Sequence, residues 1–118
     1  RRGIGRGRKG WYKGYWCDSS YELAWIIYNL DHEISFERNL EKFSYTFEGR
    51  QFNYIPDFKQ NNYFVEIKGY MSKKDIEKIK QFPHKIMIIT EIELRDIFKY
   101  VMNKYGKDYV TMYETTPP

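Results

Sequence analysis

Apolar residues in this 118-residue chain switch repeatedly between a helical and a strand period, and the order of those switches limits the fold more than any other feature. Ser19 and Glu22 form an S-x-x-E capping box, after which Leu23, Ile26, Ile27 and Leu30 recur at helical spacing, predicting a first helix over residues 20–30. Phe43, Tyr45 and Phe47 then alternate with Ser44, Thr46 and Glu48, the pattern of a half-buried strand. Glu48-Gly49-Arg50 makes a turn, a second strand follows over residues 51–55, and Asn61-Asn62 turns the chain into a third over residues 63–68. Ser72 and Asp75 open a second helix, with Ile76, Ile79 and Phe82 expected to face inward and Lys73, Lys74, Lys78 and Lys80 solvated; Pro83 ends it. Ile86-Met87-Ile88-Ile89 is short enough for a strand buried on both faces. Thr90 and Glu93 form another capping box, and Leu94, Ile97, Phe98, Val101 and Met102 continue on one helical face. A short terminal strand is expected over residues 109–113. The order is helix, a meander of three strands, helix, strand, helix (αβββαβ and a C-terminal helix), which predicts an α/β fold with a mixed central sheet flanked by helices.

The length suits one domain with a real core and is too short for two ordinary ones. The formal charge of +4 is unevenly placed. Arg1, Arg2, Arg6, Arg8, Lys9 and Lys13 precede the first acidic residue, so residues 1–13 carry +6 and, within that total, the rest carries −2. The Gly- and Arg-rich stretch cannot bury enough surface to offset its ordering entropy and reads as a basic flexible arm or linker, leaving residues 14–118 as a single domain. A cationic arm on a mildly acidic body suits a polyanion, because each neutralised phosphate releases counterions. Arg6, Arg8, Lys9 and Lys13 are the candidate contacts to the phosphates of such a partner. Trp11, Tyr12, Tyr15 and Trp16 could stack on sugars or bases, or simply dock on the body. The chain begins with Arg rather than Met, as a piece of a longer polypeptide would. A single cysteine, Cys17, excludes an intrachain disulfide and an all-cysteine zinc site, which points to a reducing, cytoplasmic compartment; it reads as a packing residue. No apolar run approaches the length of a membrane span. His32 and His84 are too far apart to form a local metal motif and read as structural.

The chemistry concentrates in residues 57–68. A strand period of two puts Glu66 and Lys68 on one face and Val65 and Ile67 on the other. Asp57 ends the preceding strand, and the reversal at Asn61-Asn62 can bring its carboxylate beside Glu66. Two carboxylates so placed repel unless a cation lies between them, and oxygen ligands of this kind suit Mg²⁺, which binds through one or two carboxylates plus substrate phosphate. A plain structural reading also stands: Asp57 turns the chain after Pro56, and Glu66 and Lys68 are exposed strand residues with cross-strand partners.

Ile55-Pro56-Asp57-Phe58, followed nine positions after the Asp by Glu66-Ile67-Lys68-Gly69, resembles the signature of the PD-(D/E)XK nuclease superfamily. Asp18-Ser19-Ser20-Tyr21-Glu22-Leu23-Ala24 resembles the first helix of phage-borne members, including free-standing homing endonucleases, and that of transposase-associated endonucleases. Phe36-Glu37-Arg38-Asn39 and the Phe-x-Tyr strand extend the similarity, which covers about residues 16–89, and the element order agrees with the restriction-endonuclease-like core. The resemblance implies a magnesium-dependent DNA endonuclease, with Mn²⁺ able to substitute, acting inside a phage-infected bacterial host. Asp57 and Glu66 would be metal ligands with the Ile67 carbonyl as a third, and Lys68 would orient or deprotonate the attacking water. Glu22 matches a helix carboxylate that many members place near the metal, yet the capping box with Ser19 also accounts for it. Lys80 and Gln81 fall where several relatives place a polar residue facing the site, although a solvated helix end explains them too. One site cuts one strand, so double-strand cleavage would call for a homodimer or a second event. The alternatives are a non-catalytic DNA-binding module on the same fold and a nuclease of junctions or RNA.

Overall fold

The computed structural model describes residues 8–114, which form two compact units, the first drawn from both ends of the chain (through Ile34 and from Ile92 onward) and the second being Ser35–Glu91. The second unit is thus inserted, in sequence, between the two segments of the first.

The first unit opens on a hairpin, β1 (Gly10–Tyr12) and β2 (Tyr15–Cys17), with Trp11 opposite Trp16. Its two-residue turn, Lys13-Gly14, has φ values of 47° and 88°, and two consecutive positive φ angles are what a type I′ turn needs to match strand twist. Part of the expected flexible arm is thus a strand; residues 1–7, including Arg6, lie outside the described residues. Glu114 bridges to Trp11 on the outer edge of β1, and its carboxylate accepts the Lys13 N–H at 3.1 Å. Tyr113 lies so close beneath Gly10 that a Cβ there would sit 2.6 Å from the ring's Cγ. Gly10→Ala is therefore expected to lower stability by about 1–3 kcal/mol through overpacking, read as a fall in the thermal midpoint.

Helix α1 (Ser20–Asp31) begins as the spacing predicts, with the Ser19 hydroxyl accepting the Glu22 N–H. Helix α3 (Glu91–Tyr105) buries Leu94 and Val101. The two helices are tied at Asp31, whose Oδ2 accepts hydrogen bonds from the hydroxyls of Tyr100 and Tyr105, both at 2.7 Å, and from Lys104 at 3.2 Å. These donors hold the Asp31 carboxyl below its usual range against the opposing effect of burial. Residues 109–113 are not a strand: Tyr109–Met112 is a 3-10 helix whose Tyr109 hydroxyl donates to the Ser20 carbonyl.

The second unit is a four-stranded mixed sheet in the order β3 (Glu37–Arg38), β6 (Phe58–Gln60), β7 (Tyr63–Ile67), β8 (Ile86–Ile89), plus a separate hairpin of β4 (Phe43–Phe47) and β5 (Arg50–Tyr54). The expected meander is thereby corrected: the chain breaks at Ile55-Pro56, and it is the short β6, not β5, that pairs with β7. β7 lies antiparallel to β6 and parallel to β8, and residues 64–67 are buried. β8 is an edge strand with Met87 43% exposed, so it is not buried on both faces.

Helix α2 (Lys73–Gln81) is capped by a reciprocal box between Ser72 and Asp75. Its inward face keeps Ile79 and Phe82, as expected, but departs from the expectation at Ile76 and Lys78. Ile76 is 48% exposed, whereas Asp75 is buried and Lys78 keeps only 15% of its side chain in solvent. Asp75, Lys78, Ile79 and Phe82 fall at i, i+3, i+4 and i+7, a single helical face. Phe43, Phe64 and Phe82 form a triangle of edge-to-face rings 4.7–5.4 Å apart, joining the hairpin, the sheet and the end of α2. Each such pair contributes roughly 0.5–1.5 kcal/mol beyond its buried area. His84 packs against all three rings.

Candidate active site

Asp57 occupies the break between β5 and β6, where Pro56 has no N–H to continue a ladder. Its backbone is held from the opposite strand. The Asn39 N–H and the Arg38 guanidinium both donate to the Asp57 carbonyl at 3.2 Å, and the Asn39 side-chain amide donates to the Pro56 carbonyl at 2.9 Å. Arg38 also lies 4.2 Å over the Phe58 ring. Asn39 is 2% exposed, and its amide further bonds both backbone groups of Glu41. Asn39→Ala would leave the buried Pro56 carbonyl without this partner, at about 1–3 kcal/mol, with a smaller loss at the exposed Glu41. We expect a lower denaturant midpoint and a displaced Asp57; an unchanged denaturation curve would contradict this role.

The two-residue turn at Asn61-Asn62, with Asn61 at φ 55°, returns the chain so that Phe58 faces Val65. Glu66 and Ile67 then lie beside Asp57. The Asp57 N–H donates to Glu66 Oε1 at 3.3 Å, and the Ile67 N–H donates to Asp57 Oδ2 at 2.8 Å. A strand residue directs its N–H and its carbonyl to the same edge, so the Ile67 carbonyl also belongs to the Asp57 edge. The Lys68 N–H goes the other way, to the Ile89 carbonyl at 3.0 Å.

Glu66 is 8% exposed, and the hydroxyl of the buried Tyr54 donates to its Oε1 at 2.8 Å. Burial raises the Glu66 carboxyl above its usual range; the Tyr54 hydroxyl, the charges of Lys78 and Lys68 and the Asp57 N–H pull in the opposite direction without cancelling it. Burial and the adjacent Glu66 charge push the Tyr54 phenol far up, so it stays a hydrogen-bond donor. Both bonds accepted by Glu66 fall on Oε1, which leaves Oε2 as the oxygen a cation would take.

Lys68 lies 3.6 Å from Asp75 Oδ1, with 37% of its side chain exposed. Lys78 lies 3.1 Å from the same oxygen and 4.5 Å over the Tyr54 ring. It is a group of this site that the sequence reading assigned to solvent. Asp75 is held down to about 2: burial works against this, and the Ser72 hydrogen bonds and Lys78 outweigh it.

The remaining candidates have the following surroundings. Glu22 is buried in the first unit, where its Oε1 accepts the Asp18 N–H at 3.3 Å, a bond that serves the start of α1. Arg8, Lys9 and Lys13 are exposed in the first unit, on or next to the β1 hairpin. Gln81 acts as a backbone mimic, exchanging two hydrogen bonds with Thr46 of β4, and Lys80 pairs with Glu77 at 3.8 Å. Cys17 is fully buried, and His32 stacks on Tyr28 at 4.1 Å.

Among the described residues, no group of three or more His, Cys, Asp and Glu is arranged to hold a metal ion. The donor set at Asp57 and Glu66 is two hard carboxylate oxygens with a strand carbonyl on the same edge, which fits a hydrated Mg²⁺ and not an all-protein cage. No helix among the described residues is long and apolar enough to cross a membrane. No family model, curated protein or solved structure matches the chain.

Proposed function

We propose that this protein is a Mg²⁺-dependent DNA endonuclease on a restriction-endonuclease-like core, with Asp57, Glu66 and Lys68 at its centre. The observation that carries this reading is the meeting of Asp57 and Glu66, nine residues apart, through the 3.3 Å bond from the Asp57 N–H to Glu66 Oε1, with Lys68 two residues further along the same strand.

Asp57, Glu66 Oε2 and the Ile67 carbonyl would hold the ion. When bound, Mg²⁺ supplies Lewis acidity and lowers the pKa of a coordinated water. The protein's own groups do the rest. The Ile67 N–H fixes the Asp57 carboxylate, and Tyr54 fixes that of Glu66. Lys68 offsets charge on the scissile phosphate and orients the attacking water, while the exposed Arg8, Lys9 and Lys13 add sequence-independent affinity for the DNA backbone.

A second reading has a specific observation behind it. Glu66 is buried and bonded to Tyr54, and burial raises its carboxyl, which also suits a structural group in a non-catalytic DNA-binding module. Incubating the full chain with supercoiled plasmid, linear duplex, single strand, four-way junction and RNA, with and without Mg²⁺, separates the readings. Metal-dependent cleavage of DNA is the expected result; DNA binding indifferent to Mg²⁺, with no cleavage of any substrate, favours the module.

A further inference from the structure

Asp75 has no place in the mechanism above, yet it is 8% exposed and faces both lysines of the site. Its two oxygens divide the work. Oδ2 accepts from the Ser72 N–H at 3.0 Å and the Ser72 hydroxyl at 2.8 Å, which anchors the carboxylate to the first turn of α2. Oδ1 is turned to Lys78 at 3.1 Å and Lys68 at 3.6 Å. A helix cap needs only the first of these. The second places a fixed negative charge between two ammonium groups whose fields both reach Glu66.

We propose that Asp75 is a positioning residue of the active site, holding Lys68 off Glu66 so that Oε2 of that carboxylate stays available to a divalent ion. The physical reason is competition. A flexible ammonium two residues from a buried carboxylate on the same strand face falls onto it unless a better partner holds it, and an ion pair there would fill the metal's place. Asp75 is that partner for Lys68, and Lys78, pinned over the Tyr54 ring, shares it. This inference rests on the nuclease reading.

Asp75→Asn removes the charge and keeps an oxygen for the Ser72 bonds, so α2 remains capped. The full-length variant is expected to bind Mg²⁺ several-fold more weakly by calorimetric titration and to need correspondingly more of it for half-maximal plasmid cleavage. Its saturated single-turnover rate should fall by roughly 10- to 100-fold, the scale of a reacting group displaced by about 1 Å. Asp75→Glu, which restores the charge, should recover part of both losses. In a Lys68→Ala background, where cleavage no longer reports, Asp75→Asn should not weaken Mg²⁺ binding measured by calorimetric titration, because the competing ammonium is gone. Ser72→Ala breaks the capping box and leaves the carboxylate; it should lower the thermal midpoint without changing the Mg²⁺ requirement. An unchanged Mg²⁺ requirement in Asp75→Asn, or an equal rise in Ser72→Ala, overturns the proposal. A wild-type chain that cleaves and is silenced by Asp57→Ala, beside a fully active Asp75→Asn, overturns this inference alone, whereas a wild-type chain that cleaves nothing removes the nuclease reading with it.

Discussion

Asp57→Ala and Glu66→Ala should each reduce Mg²⁺-dependent plasmid cleavage by about a thousandfold or more, the largest effects expected of any single substitution in this chain. The magnitude follows from the role. Metal-ion stabilisation of a phosphoryl transition state contributes several kcal/mol, and each 1.36 kcal/mol is about tenfold in rate. Either substitution removes one of the two carboxylates that would carry the ion. The two variants should differ in stability. Asp57→Ala strips the Ile67 N–H of its partner at 2.8 Å and should destabilise, whereas Glu66→Ala removes a buried charge but leaves the Tyr54 hydroxyl without an acceptor. Cleavage by either variant at the wild-type rate would refute the assignment, provided calorimetric titration shows that the wild type binds the metal.

What could be read from the sequence follows from how each element declares itself. The three helices show because caps and a 3.6-residue period are local signals: Ser19 and Ser72 both cap as their spacing indicates. The juxtaposition of Asp57 and Glu66 was legible because a two-residue turn at Asn61-Asn62 fixes the register of the strands around it. β6 is only three residues, Phe58-Lys59-Gln60, too short for a period, so β5 was taken as the neighbour of β7. The β1–β2 hairpin was hidden by its Gly- and Arg-rich surroundings, although Lys13-Gly14 between two aromatic pairs was a turn signal. On α2 the apolar residues indicated the inward face correctly at Ile79 and Phe82 but not at Ile76. Ile76 lies outward because the buried face is set by Phe82 and Ile79 together with an ion pair, and a hydropathy pattern scores Asp75 and Lys78 as solvent-facing. Asn39 and Arg38 escaped for a related reason: their work is done on the backbone at residues 56 and 57, a contact that no spacing in the sequence announces.

Glu66→Gln should separate function from stability in opposite directions. Glutamine keeps an oxygen for the Tyr54 hydroxyl and the Asp57 N–H while removing the charge that burial penalises. Because the folded-state carboxyl is raised above its unfolded value, the native state binds this proton more tightly than the unfolded chain does. The wild type therefore carries a penalty above the raised folded value, and the penalty fades as pH falls through it towards the unfolded value of 4.5. At pH 9 the glutamine variant should be inactive yet more stable by about 1 kcal/mol, a rise of roughly 4 °C in Tm, and the gain should vanish on acidification. Magnesium adds a second contrast. An ion bound at a hundred times its dissociation constant stabilises the wild type by about 2.7 kcal/mol, and the glutamine variant, lacking the charged ligand, should show little of this. Paired melting curves at pH 9 and pH 5, with and without Mg²⁺, read all of these effects at once. A glutamine variant less stable than wild type at pH 9, with no metal shift in either protein, would mean that the Glu66 carboxylate stabilises the fold and holds no ion.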